Sequence, residues 1–134
     1  MPAVSLPSLT IRRMEGLASR GDVWRAGEAA ALARYRDAGY RLVARNWRCR
    51  LGEIDLIVTR GDVVVFCEVK ARRGGAFGSP HEAVGWKKRQ KLRTLGEAFL
   101  AATGSVPGNI RFDVASVTMD ASGHPAVHLF EQAF

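Results

Sequence analysis

Residues 52–73, GEIDLIVTRGDVVVFCEVKARR, constrain the fold of this 134-residue chain more than any other stretch. Val, Ile and Phe dominate both halves, and Gly61-Asp62 between them is a dipeptide that supplies the positive φ of a two-residue hairpin loop. Two antiparallel strands are therefore expected, with Arg60 opposite Val63. Counting outward sets Asp55 opposite Glu68 and Glu53 opposite Lys70, and residues directly opposite share a face. Like charges placed this way repel, so the pair calls for a cation between them, either a metal or a lysine. A four-residue loop preserves the shared face, whereas a three-residue loop with a bulge would put the two acids on opposite faces. Apolar residues on both faces of VVVFCEV mark a covered strand, which argues against a surface Asp-Lys-Glu cluster.

The rest of the chain supplies partners for this hairpin. Residues 1–20 contain Pro2 and Pro7 and no sustained period, and read as a tail preceding a domain over 21–134. Asp22 is placed to cap an Ala-rich helix, VWRAGEAAALARYRDAG, that ends at Gly39. Trp24, Ala31, Leu32 and Tyr35 form its apolar stripe. Glu28 falls on the same stripe, either snorkelling at the edge or pointing across the sheet at Asp55 and Glu68. A first strand is expected over 40–47. After the hairpin, Ser79-Pro80-His81-Glu82 has capping-box spacing, and the stronger helix spans 86–102 with Leu92, Leu95 and Phe99 inward. Lys87, Lys88, Arg89, Lys91 and Arg93 crowd its first half, where cations oppose the macrodipole unless an anion binds nearby. Strands over 110–114 and 127–130 complete an α-β-β-β-α-β-β order, which suggests an α/β fold with helices against one mixed sheet. Trp47 and Trp86 are expected in the core, leaving no row of aromatics for base stacking.

Charge points the same way as the acids. The net charge is +7, and residues 34–50 and 70–93 together hold fourteen of the 20 Lys and Arg, flanking the hairpin on both sides. Folded together they would form a basic rim around an acidic pair, as a phosphodiester substrate requires; a solvated basic surface is the competing reading, and charge alone does not choose. No apolar run approaches the roughly 18 residues of a membrane span, so a cytoplasmic protein without a membrane partner is expected. Cys49 and Cys67 lack the spacing of a zinc site, and Cys67 alternates with Val65 and Val69 as a small hydrophobe. His81, His124 and His128 are scattered and carry no catalytic assignment.

An acid on one strand and acid-x-lysine on the next suit phosphodiester chemistry. Mg²⁺ is usually held by one or two carboxylates with waters and phosphate oxygens, which Asp55 and Glu68 can supply. Lys70, two residues after Glu68, can hold the attacking water or offset charge on the phosphate. The strings RAGEAAA, RNWRCRLGEIDLI, VFCEVKAR, FGSPHEAV and RFDV, with the Lys-rich helix between, resemble the YraN family of uncharacterised bacterial proteins over about residues 22–118. That family is similar to the PD-(D/E)xK nuclease superfamily, closest in shape to Holliday junction resolvases. The resemblance implies a restriction-endonuclease-like fold and a nuclease triad of Asp55, Glu68 and Lys70, with Glu28 as an additional helix acid. Ile54 stands where the superfamily's name has proline. A nuclease of this kind, acting on DNA, with branched DNA one candidate form, would bind Mg²⁺ or Mn²⁺ through Asp55, Glu68, Glu28 and the Val69 carbonyl. Arg72, Arg73, Lys87, Lys88 and Lys91 would hold phosphates, and a homodimer would follow the habit of resolvases. The alternative is a module on the same fold that grips nucleic acid or a protein without cutting.

Overall fold

The computed structural model describes residues 20–74 and 85–134; the N-terminal tail and the capping box at residues 79–82 lie outside the described residues. The elements are α1 (Arg20–Asp37), β1 (Arg41–Cys49), β2 (Gly52–Arg60), β3 (Val63–Arg73), α2 (Trp86–Thr103), β4 (Asn109–Met119) and β5 (Pro125–Phe130). This is the expected order. The strands form one five-stranded sheet in the sequence β1-β2-β3-β4-β5. Only β3 and β4 run parallel, because α2 carries the chain back across the sheet between them. The result is an α/β fold with a mixed sheet between two helices, consistent with the restriction-endonuclease-like fold.

The period-2 and period-3.6 patterns of the sequence meet on two faces. Ala31, Leu32 and Tyr35 of α1 pack with Leu56, Val58, Val65, Cys67 and Val69 and with Ala115 and Val117 of β4. Leu92, Leu95 and Phe99 of α2 pack with Ile54, Ile57, Val64 and Phe66 on the opposite face. Strand β3 is thus covered on both sides, as its continuous apolar run requires. Gly61-Asp62 forms the two-residue loop, with Gly61 at φ 60°, and Arg60 pairs with Val63. Asp22 lies inside the first turn of α1, where it holds Arg25 at 2.8 Å, so the helix starts earlier than the cap reading placed it.

One polar group of β4 is buried with full compensation. Asp113 is completely enclosed and accepts from Tyr35 Oη at 2.6 Å, from Arg111 Nε and Nη2 at 2.9 Å each, and from Gln132 N at 3.1 Å. Every lone-pair direction that matters has a donor, so this charge ties α1 to β4 without being left unpaired. Trp47 is half-buried edge-on against Phe99 with centroids 5.3 Å apart, but Trp86 is 70% exposed, contrary to its expected core position. It opens α2 at the end of the helix away from the Leu95 and Phe99 contacts.

Helix α1 reaches β3 because residue 27 is glycine. A Cβ there would lie 2.5 Å from Ala71 Cβ, well inside contact distance. Alanine would gain about 1 kcal/mol of helix propensity, while overpacking costs about 1–3 kcal/mol. Gly27→Ala is expected to lower stability in urea denaturation, with Ala71→Gly in the same chain recovering part of the loss. A single variant as stable as the parent would contradict the close approach.

Candidate functional site

The hairpin ladder does not run its full length. Pairing between β2 and β3 extends from Arg60/Val63 to Leu56/Cys67 and stops there, although β2 continues beside β1 to Gly52 and β3 beside β4 to Arg73. Continued register would set Val69 opposite Ile54. Instead the buried N–H of Val69 donates to Asp55 Oδ2 at 2.8 Å. A carboxylate has taken the place of a backbone carbonyl, so the strands separate without orphaning a buried donor. The separation opens a cleft of about 410 Å³, lined by Glu53, Asp55, Glu68, Val69 and Lys70 from the two strands, with Trp24 and residues of α2.

β1 and β2 change pleat together at this point. Ala44 and Trp47 both pack on the α2 side, as do their partners Ile57 and Ile54, so alternation is broken between them on each strand. Asn46 makes the break in β1 with φ 52°, a left-handed conformation that asparagine tolerates. Its Nδ2 donates to Glu28 Oε1 at 3.1 Å. Glu28 is completely buried, with Arg45 Nη2 at 3.6 Å, and so adopts the inward of its two expected positions. Glu53 leaves Lys70 and accepts from Arg48 Nε at 3.1 Å, because β2 has departed from β3 by then.

The structure brings Asp55, Glu68, Val69 and Lys70 to one cleft; Glu28 does not line it, but is fully buried and close enough for its charge to act on Asp55. Lys70 Nζ stands 3.8 Å from Glu68 Oε2, and Lys88 Nζ reaches the same oxygen from α2 at 2.7 Å. Lys91 lines the cleft; Lys87 is exposed one residue before Lys88; Arg72 and Arg73 lie farther along β3 beside Thr118 and Met119. Four contributors to the site escaped the sequence reading. Trp24 looked like core, Asn46 carried only the faint signal of an asparagine inside a strand, and Leu92 and Leu95 serve both the core and the cleft wall.

Comparison with known proteins gives a family without an activity. The profile described as "Uncharacterised protein family UPF0102" matches residues 27–117. A UPF0102 protein of Nocardia farcinica is 46% identical over 108 residues, covering 81% of this chain and 85% of the relative. One from Streptomyces coelicolor is 45% identical over 111 residues, covering 81% and 85%. A third, from Symbiobacterium thermophilum, is 46% identical over 112 residues, covering 84% and 95%. Among the described residues no helix is long and apolar enough to cross a membrane.

Electrostatics show what the cleft can hold. Burial, and then the charge of Glu68, raise the Asp55 carboxyl above the ordinary carboxylate range against the opposing pull of the Val69 N–H. Burial also raises Glu28, against its Asn46 hydrogen bond and the Arg45 charge. Glu28 Oε2, Asn46 Oδ1 and Glu53 Oε2 are buried without a hydrogen-bond partner among the described residues. Of these only Glu53 lines the cleft, where its orphaned oxygen sits with Asp55 and Glu68. No three His, Cys, Asp or Glu side chains converge into a metal cage among the described residues, but Mg²⁺ needs only one or two carboxylates with water and phosphate oxygens. Asp55, Glu68 and the Val69 carbonyl fit that requirement.

The raised Asp55 also fixes the sign of a pH effect. Above about pH 4 an unfolded Asp loses its proton while the folded one keeps it, so this group lowers stability as pH rises towards neutrality. Asp55→Asn removes the cost and can still accept from Val69. The metal-free variant is expected to match wild type in thermal midpoint near about pH 4 and to gain on it as pH rises. Equal destabilisation at every pH would contradict the assignment.

Proposed function

We propose that this chain, which belongs to the uncharacterised protein family UPF0102, is a divalent-metal-dependent nuclease hydrolysing phosphodiester bonds in DNA, with branched DNA one candidate form of the substrate. The observation that carries the reading is the separation of β2 from β3, which keeps two buried acids, Asp55 and Glu68, facing one cleft beside lysines 70, 88 and 91. Burying like charges together is costly unless a cation compensates. A site with lysines at its rim and acids at its base suits a phosphodiester held against a metal ion.

Bound Mg²⁺ or Mn²⁺ would supply Lewis acidity towards the phosphate and lower the pKa of a coordinated water. Asp55, Glu68 and the Val69 carbonyl would hold that ion, and the Val69 N–H fixes the Asp55 carboxylate in position through its 2.8 Å bond. Glu28, oriented by Asn46, would assist as a further acid through the ion or a water. Lys70 stands on the β3 arm within 3.8 Å of Glu68, where its ammonium can orient the attacking water. The water oxygen would bond to phosphorus, giving up a proton to solvent, as the bond to the 3′ oxygen breaks and that oxygen takes a proton from solvent, leaving a 5′-phosphate and a 3′-hydroxyl. Arg72, Arg73, Lys87 and Lys91 grip the sugar-phosphate backbone without reading bases. A homodimer would offer two such clefts to the two strands of a branched substrate.

One observation favours a non-cutting module instead. Lys88 already neutralises Glu68 at 2.7 Å, so the acids are partly compensated by the protein itself. Cleavage decides between the readings. With Mg²⁺ or Mn²⁺ the wild type is expected to cut linear duplex or a four-way junction, and Asp55→Asn to cut at least about 100-fold more slowly. Its salt-sensitive DNA binding should stay within about threefold of wild type, since the backbone contacts are untouched. A folded wild type that binds DNA and cuts neither substrate would favour the module.

A further inference from the structure

Two ammonium groups converge on one oxygen of Glu68, and they differ in origin. Lys70 lies two residues away on the same strand and stops at 3.8 Å, while Lys88 crosses from α2 and closes to 2.7 Å. The carboxylate they share is nearly enclosed, at 7% exposure, whereas the Lys88 side chain is 44% exposed along its length. Its charged end is docked although more than two-fifths of the side chain stays exposed. The start of α2 gives it little reason to stay. Gly85 provides no side-chain cap and the first turn holds no acid, so Lys87 and Lys88 sit at the positive end of the helix dipole. What holds the Lys88 ammonium in place is Glu68.

We propose that Lys88 is the resident counter-cation of the cleft, displaced from Glu68 when a divalent ion loads and thereby released to contact the scissile phosphate. This rests on the metal-dependent reading above and adds a step to it. The Lys88 ammonium occupies Glu68 Oε2 on the side that faces the cleft, where it blocks coordination and repels a doubly charged ion. Once displaced, its long stem keeps the ammonium at the cleft mouth beside Lys91, where an incoming phosphate would find it. Metal and lysine therefore exchange places on one carboxylate. The exchange avoids an unpaired buried charge in the metal-free protein and adds a phosphate contact in the loaded one. Lys70, farther from the oxygen and tied to the rigid strand, remains where it is.

The test is Mn²⁺ titration by calorimetry into the full chain at about pH 8, without DNA. Lys88→Met is expected to bind Mn²⁺ at least about fivefold more tightly than wild type, because a like charge has left the site. Lys88→Arg keeps the charge and should bind like wild type. Once loaded, Lys88→Met should bind a non-cleavable phosphorothioate duplex more weakly than loaded wild type, by about threefold or more. Lys88→Gln, checked by circular dichroism, gives the same comparison should the methionine variant misfold. Mn²⁺ affinity unchanged or weakened in folded Lys88→Met or Lys88→Gln overturns the exchange while leaving the metal site standing. Absence of Mn²⁺ binding in wild type and all variants overturns the metal site itself.

Discussion

Where β2 leaves β3, the N–H of Val69 would be stranded in a buried strand, and Asp55 accepts it at 2.8 Å. Leaving such a donor unmet costs about 1–3 kcal/mol, enough to press two apolar strands back together. By satisfying it with a side chain, the fold lets the hairpin open while both strands stay paired on their outer edges to β1 and β4. The cleft is consequently made of the same strands that build the core. Core and cleft share a wall, since Leu92 and Leu95 belong to both.

The remaining groups are arranged around that opening by contacts that have little else to explain them. Gly27 lets α1 approach Ala71 closely enough to bring Glu28 under the sheet. Asn46, in a left-handed conformation, turns the pleat of β1 and supplies the amide that orients Glu28. Asp113 shows how the same chain treats a buried acid that serves the fold, since four hydrogen bonds, two of them from an arginine, leave its charge fully met. Asp55 and Glu28 receive much less. The contrast between a fully compensated acid and an under-compensated group a few strands away is what gives the cleft its chemical meaning.

Much of this was legible in the sequence, for reasons that differ from residue to residue. The register of the hairpin followed from Gly61-Asp62, because a two-residue loop leaves one way to count outward. The pairing of Asp55 with Glu68 in one place survived even though the ladder ends one residue short of them. Its end was not readable, since strand separation depends on where Asp55 accepts a hydrogen bond. Alternation also failed at Asn46 and Asp55, where both strands switch faces together. Glu28 lay on an apolar stripe that admitted two positions, and only the packing of α1 selects the inward one. Lys88 read as one of five cations on a helix; its contact with Glu68 crosses from one element to another and leaves no mark on local spacing. Trp86 looked like core by residue type, but the helix begins before the sheet can cover it.

The most direct measurement is anomalous diffraction from crystals of the protein soaked in Mn²⁺. A peak at coordination distance from Asp55 and Glu68, within reach of the Val69 carbonyl and with Lys88 moved off Glu68 Oε2, is the expected result. Crystals without that peak, in which Lys88 still holds Glu68, would contradict a metal-dependent site and make the acidic cleft a lysine-neutralised element of a binding module.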